Sequence, residues 1–173
     1  PTLLLDSTDY IKLIKTDTSR SQGDLMCYLL DQSTDSSKIV SSIAEAKTLK
    51  PFSTNTQTEN QQLSLEERIQ PPIEEWLQGF RDAEFVVTDS FHACIFSILF
   101  AKPFVVIGNK SRGMARFESL LQVFGLTDRL VCSHEDYLSR RETLLKPIDY
   151  EQVSRILDEK RSEALEFLGE ALG

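Results

Sequence analysis

The sequence predicts an α/β fold: a parallel sheet covered on both faces by helices. Three observations carry this. Residues 85–87 and 104–107 are short runs of Phe, Val and Ile without polar alternation, as strands buried on both faces read. Between them, and again after the second, apolar residues recur at helical spacing, so the stretch from 85 to 124 reads strand, helix, strand, helix. The same alternation runs on either side of it, which is βαβαβα order. With 173 residues, 40% of them apolar and 27% charged, the chain has globular composition and the length for one domain with a real core.

Element by element, the opening (PTLLLDSTDYIKLI) has no initiator Met, and Ser7-Thr8-Asp9 reads as a helix cap. The expectation is a fragment whose remaining part lies N-terminal to it. Residues 24–31 (DLMCYLLD) read as the first strand. Residues 38–49 place Ile39, Ile43 and Ala46 on one helical face. Residues 51–54 form a short strand or loop, and 55–70, polar and rich in Thr, Gln and Glu, read as loop. After Pro71-Pro72 a helix puts Ile73, Trp76, Leu77 and Phe80 on one face, with Pro near its first turn. The central unit follows. Residues 114–124 then read as a helix with Phe117, Leu120, Leu121 and Phe124 inward and Gly125 terminating it. Residues 129–132 are a short strand, 135–145 a charged helical turn, and 150–172 a last helix. The expected organisation is 1–23 as the end of a preceding domain or linker, 24–148 as the main domain, and 149–173 as a C-terminal helix packing on or near it.

A net charge of -8 argues against nucleic acid as a partner. No apolar run approaches the roughly 20 residues that span a bilayer, and no charged stretch followed by an apolar one opens the chain, so no membrane segment or signal peptide is expected. Cys27, Cys94 and Cys132 are widely spaced and odd in number, which speaks for reduced thiols of a cytoplasmic protein rather than disulfides or a metal site.

Ligands of open α/β sheets bind at the carboxyl ends of the strands. Those ends carry Thr88, Asp89, Ser90 and His92 in one case, and Asn109, Lys110 and Arg112 in the other. Between Ser90 and Phe117 stand four cations (Lys102, Lys110, Arg112, Arg116) and no carboxylate, the pattern of a pocket for a small anion. His92 falls in the first turn of a helix, where unpaired backbone N–H groups attract phosphate or carboxylate. The helix end disfavours a charged imidazole and a bound anion favours it; that balance governs its use as an acid. Thr88, Asp89 and Ser90 are good N-caps, and at least one is expected to cap. Asp89 would repel an anion unless it faces His92 or a basic side chain. Arg112, placed by Gly113 in the loop before the helix, and Arg116 carry guanidinium forks suited to phosphate or carboxylate. Lys110 is a weaker candidate of that kind, and Asn109 equally suits a turn. Trp76 and Cys94 read as core, Glu66, Glu67, Glu74 and Glu75 as solvated, and His134 as part of a polar loop.

The run T-D-S-F-H-A, the following K-P-F and then N-x-x-R-G-x-x-R-F together resemble the polysaccharide pyruvyl transferase family, from about residue 25 to 130 and most strongly from 88 to 126. The resemblance implies a two-domain protein of the GT-B glycosyltransferase type, of which this chain is the Rossmann-like C-terminal half, inactive without its N-terminal half. It implies transfer of the pyruvyl group of phosphoenolpyruvate onto a glycan or lipid-linked sugar, as a ketal across two hydroxyls, with no cofactor. His92 would serve donor binding and acid chemistry, and Arg112 and Arg116 would clamp the anionic groups. One position departs: many members carry Arg two residues before this histidine, where this chain has Ser90. Either Ser90 and the helix N-terminus hold the anion with Arg112 helping, or the donor differs. Two alternatives stay open, a GT-B glycosyltransferase domain using a nucleotide-sugar and a non-catalytic domain binding an acidic partner.

Overall fold

The structure is a computed structural model of the chain and describes residues 2–14, 23–55, 71–108 and 113–172. Its centre is a five-stranded, all-parallel sheet in the order β2-β1-β3-β4-β5. The strands are β1 (Leu25–Tyr28), β2 (Pro51–Phe52), β3 (Phe85–Thr88), β4 (Phe104–Ile107) and β5 (Leu130–Val131). Every residue of β3 and β4 is buried, as their unbroken apolar runs require of strands covered twice.

The period of two sorts the strand residues between two cores. One face places Met26, Val86, Phe104 and Val106 against α3 (Ile73–Asp82), α4 (Phe91–Leu99), α5 (Met114–Val123) and the first half of a 23-residue helix, Tyr150–Leu172. The other places Leu25, Phe85, Val87, Val105, Ile107 and Val131 against α2 (Thr34–Lys47) and α6 (His134–Leu144). We call the long helix α7 and the short Ser7–Ile11 helix α1. Helix α4 is apolar all round and its residues 93–99 are all buried. It is enclosed from outside: Tyr10 meets Phe96 edge-on at 4.8 Å, and the Tyr150 hydroxyl donates to the carbonyls of Ser97 and Lys102. Arg161, midway along α7, donates to the carbonyls of Leu3 and Leu5 and so ties the first described residues to that helix.

Several expectations change in detail. Helix α2 begins at Thr34, four residues before the expected start, because Ser33 and Ser36 form a reciprocal cap. Its inner face is Ile39, Val40, Ile43 and Ala44, and Ala46 is exposed. On α3, Leu77 and Phe80 are buried, whereas Ile73 is 57% exposed. His134 does not sit in a loop; it is the first residue of α6, capped by Ser133. Residues 56–70 of the expected loop, with Glu66 and Glu67, lie outside the described residues. Gly125, at φ +68°, ends α5 as expected.

Chain order fixes where a ligand can reach the sheet. From β1 the chain runs through α2 to β2 on one side, and from β3 through α4 to β4 on the other. The carboxyl ends of β1 and β3 therefore flank a topological switch point, where the two connections diverge and leave a crevice.

Candidate functional site

Three of the candidate residues build this crevice. The Thr88 hydroxyl donates to the Tyr28 carbonyl at 2.7 Å and accepts from the Ser90 N–H at 3.0 Å. The Asp89 carboxylate accepts from the backbone N–H of Leu30 at 2.7 Å and of Asp31 at 2.8 Å. Ser90 caps α4 by accepting from the Ala93 N–H. Asn55 adds a tie from beyond β2 by donating to the Leu29 carbonyl at 3.0 Å. Asp89 thus meets two backbone donors of the β1–α2 loop; facing His92 or a basic side chain was the condition for its sitting beside an anion. All three residues are at most 8% exposed. Their bonds join the loops after β1 and β3 into one frame, from which α4 starts in a fixed direction.

His92 is the second residue of that helix and is exposed to solvent. Its ring lies edge-on to Phe91, centroids 6.2 Å apart. The Arg116 guanidinium lies over the same Phe91 ring, with Cζ 5.3 Å from the centroid, within cation–π range. Phe117 supports Phe91 from within at 5.7 Å. Gly113, at φ +83°, starts α5, and a Cβ there would lie 3.5 Å from Arg116 Nε. The first turns of α4 and α5 therefore bring His92 and Arg116 to one aromatic ring at the carboxyl rim.

The remaining cations do not complete a cluster within the described residues. Asn109, Lys110 and Arg112 lie outside them, in the chain directly after β4. Lys102 is a correction: it precedes β4, so it stands at the amino end of the sheet, where its Nζ donates to the Arg81 carbonyl at 2.8 Å. Burial lowers its pKa. A cleft of about 270 Å³ opens along the carboxyl ends of β1, β3, β4 and β5 on the α2 side. Its described lining holds Asp31, Asp35 and Asp89 and no cation, which the expectation of a cationic pocket did not foresee; neither His92 nor Arg116 lines it. Among the described residues no three His, Cys, Asp or Glu side chains gather as a metal site requires. All three cysteines are free, and burial pushes the thiols of Cys27 and Cys94 up to about 12.

Two features escaped the sequence reading. Phe91, inside an apolar run, reads as core, and nothing local marks it as the ring shared by His92 and Arg116. Ser33-Thr34-Asp35-Ser36 carries a cap signature directly after β1, which would have brought α2 and its acidic first turn to the rim.

The fold defines a class first: a Rossmann-like parallel α/β domain with a topological switch point at the strands' carboxyl ends. Comparison with protein families then narrows it. A family model described as polysaccharide pyruvyl transferase matches residues 1–111, more than half of the 173-residue chain, and the chain belongs to that family, which points to a transferase of polysaccharide pyruvylation. The match takes in Thr88, Asp89, Ser90, His92, Asn109 and Lys110, and ends just before Arg112 and Arg116. No curated protein matches the chain. No helix among the described residues is long and apolar enough to cross a membrane.

Proposed function

We propose that this chain forms the donor side of a cytoplasmic transferase that moves the pyruvyl group of phosphoenolpyruvate onto two hydroxyls of a sugar, as a cyclic ketal, in making a cell-surface polysaccharide. The observation that carries the proposal, beside family membership, is the placing of His92 and Arg116 on one ring at the carboxyl rim. Protonated His92 gives its proton to the methylene carbon of the enol phosphate, which becomes a methyl group and leaves a cationic C2. A sugar hydroxyl adds to C2 and loses its proton, phosphate departs with a proton, and a second hydroxyl closes the ring and loses its own. Two protons are consumed and two released, so His92 can end each turnover protonated. Arg116, with Arg112, Lys110 and Asn109 beyond β4, holds the phosphate and carboxylate and offsets charge on the leaving group. No organic cofactor enters, and a second domain supplies the remaining acceptor surface.

Calorimetry with phosphoenolpyruvate and a phosphate-release assay test this. Arg116→Ala is expected to weaken donor binding by roughly 1.5–3 kcal/mol, the value of a hydrogen bond to a charged group. His92→Ala is expected to retain donor binding and abolish phosphate release. An Arg116→Ala protein with unchanged donor affinity removes that residue from the site, and one active without His92 removes the acid.

A further inference from the structure

We propose that Tyr28 binds a neutral acceptor sugar at the carboxyl end of β1, its hydroxyl bonding a sugar hydroxyl and its ring, braced by Trp76, facing the sugar's C–H groups; this deepens the transferase reading and rests on it. Position is the first ground. Tyr28 ends β1 and pairs in register with Thr88, the last residue of β3, so it stands at the switch point itself. Two residues after Met26, it shares that residue's face and packs on the core formed with α3 and α4. Trp76 on α3 meets Tyr28 edge-on at 5.6 Å and Phe96 at 4.8 Å. His92 precedes Phe96 by four residues, so it stands one turn above this aromatic row on the same side of α4. Phe91, under Arg116, lies about 140° around the helix from Phe96. His92 therefore has a guanidinium on one flank and the aromatic row on the other.

The chemistry of the two flanks differs. Tyr28 is half-buried, and its hydroxyl has no hydrogen-bond partner among the described residues. Burial first, and then the nearby Asp89 carboxylate, raise its pKa, so the phenol is a neutral donor and acceptor at pH 7. Negative charge close by disfavours an anion there, whereas Arg116 favours one on the other flank. A pyranose has apolar C–H faces and a hydroxyl edge, and a phenol matches it with an apolar ring and a polar tip. Ile73, 57% exposed one turn before Trp76, extends the apolar surface along α3. The side chain also sits on a rigid support, as a specific site requires. The Thr88 hydroxyl holds the Tyr28 carbonyl at 2.7 Å, and Phe80 braces Trp76 at 4.8 Å. The ketal joins two sugar hydroxyls at the carbon next to the one that His92 protonates, so the acceptor has to lie beside His92, on the flank that the donor leaves open.

Trp76 supplies the test, because it is the chain's one tryptophan and touches Tyr28. Its fluorescence is followed as methyl hexopyranosides of gluco, galacto and manno configuration are added, which as single rings bind on the order of 1 mM. At least one glycoside is expected to change the emission saturably. Tyr28→Phe is expected to raise the midpoint roughly two- to tenfold, the loss of one neutral hydrogen bond, and Tyr28→Ala to abolish the response. Phenylalanine keeps the ring and its packing, so Tyr28→Phe decides the matter even where Tyr28→Ala fails to fold. Arg116→Ala is expected to keep the glycoside response, and Tyr28→Phe to keep phosphoenolpyruvate affinity, read by calorimetry. No response to any of the glycosides, an unchanged midpoint in Tyr28→Phe, a response that survives in Tyr28→Ala, or an equal loss of phosphoenolpyruvate affinity in Tyr28→Phe overturns the proposal. Because donor binding is read separately, a glycoside response without phosphoenolpyruvate binding would contradict the donor reading and leave the assignment of Tyr28 standing.

Discussion

Phe91 gives His92 and Arg116 a common neighbour. A cation over a ring at the surface gains only about 0.5–1 kcal/mol, so the stacking on half-buried Phe91 orients Arg116 more than it stabilises the fold. The position of His92 at a helix start could be read from Thr88-Asp89-Ser90 and the strand before them. The bonds of Asp89 could not, since its partners lie 58 and 59 residues away in the chain. Asp136 is a second residue whose effect is local and measurable. Burial alone would raise its pKa, but hydrogen bonds from Arg140 and from the Cys132 N–H outweigh burial and lower it. A carboxylate with a lowered folded pKa contributes stability that is complete above its unfolded value of 3.8 and is lost as pH falls through the folded value. Asp136→Asn is therefore expected to melt lower than the parent at pH 7, with the two curves converging as the pH drops below 3.8. Parallel melting curves at every pH would contradict this.

At the scale of elements, helical spacing defined the faces of α2 and α3 but not what lies opposite each position. Ile73 satisfies the spacing and is nonetheless more than half exposed, while Ala46, small and weakly apolar, stays outside at little cost. Strands β3 and β4 were legible because an unbroken apolar run of three or four residues between turn signals has few other places to go. The end of α2 was not. Thr48 closes it at φ +56°, a left-handed conformation that a β-branched residue adopts reluctantly and glycine readily. Thr48→Gly is expected to raise stability by about 1 kcal/mol in denaturant titration, since it removes the Cβ conflict of this conformation. A loss of stability would show that the threonine side chain makes up for its backbone.

For the whole molecule, strand–helix alternation gave the layered α/β class, whereas the order β2-β1-β3-β4-β5 and its switch point depend on pairings that no local signal encodes. The cleft is the clearest case, for its lining runs from Leu29 to Cys132 and forms only when the sheet does. Helix α7 belongs to the same scale: Val153 and Leu157 are buried in the core, while Leu165, Phe167 and Leu172 are 55%, 69% and 85% exposed. Leu157→Ala is expected to cost about 2–5 kcal/mol and Leu172→Ala less than about 0.5 kcal/mol in denaturant unfolding. The central claim, that donor anion binds where His92 and Arg116 meet, has a direct spectroscopic test because the chain has only two histidines. Imidazole resonances are followed by NMR as phosphoenolpyruvate is added, with His134, stacked beside Tyr137 at the start of α6, as internal reference. The account predicts that His92 shifts, that His134 does not, and that Arg116→Ala removes the shift at the same donor concentration. A donor bound by calorimetry that leaves the His92 signals unmoved, or moves those of His134 instead, would contradict it.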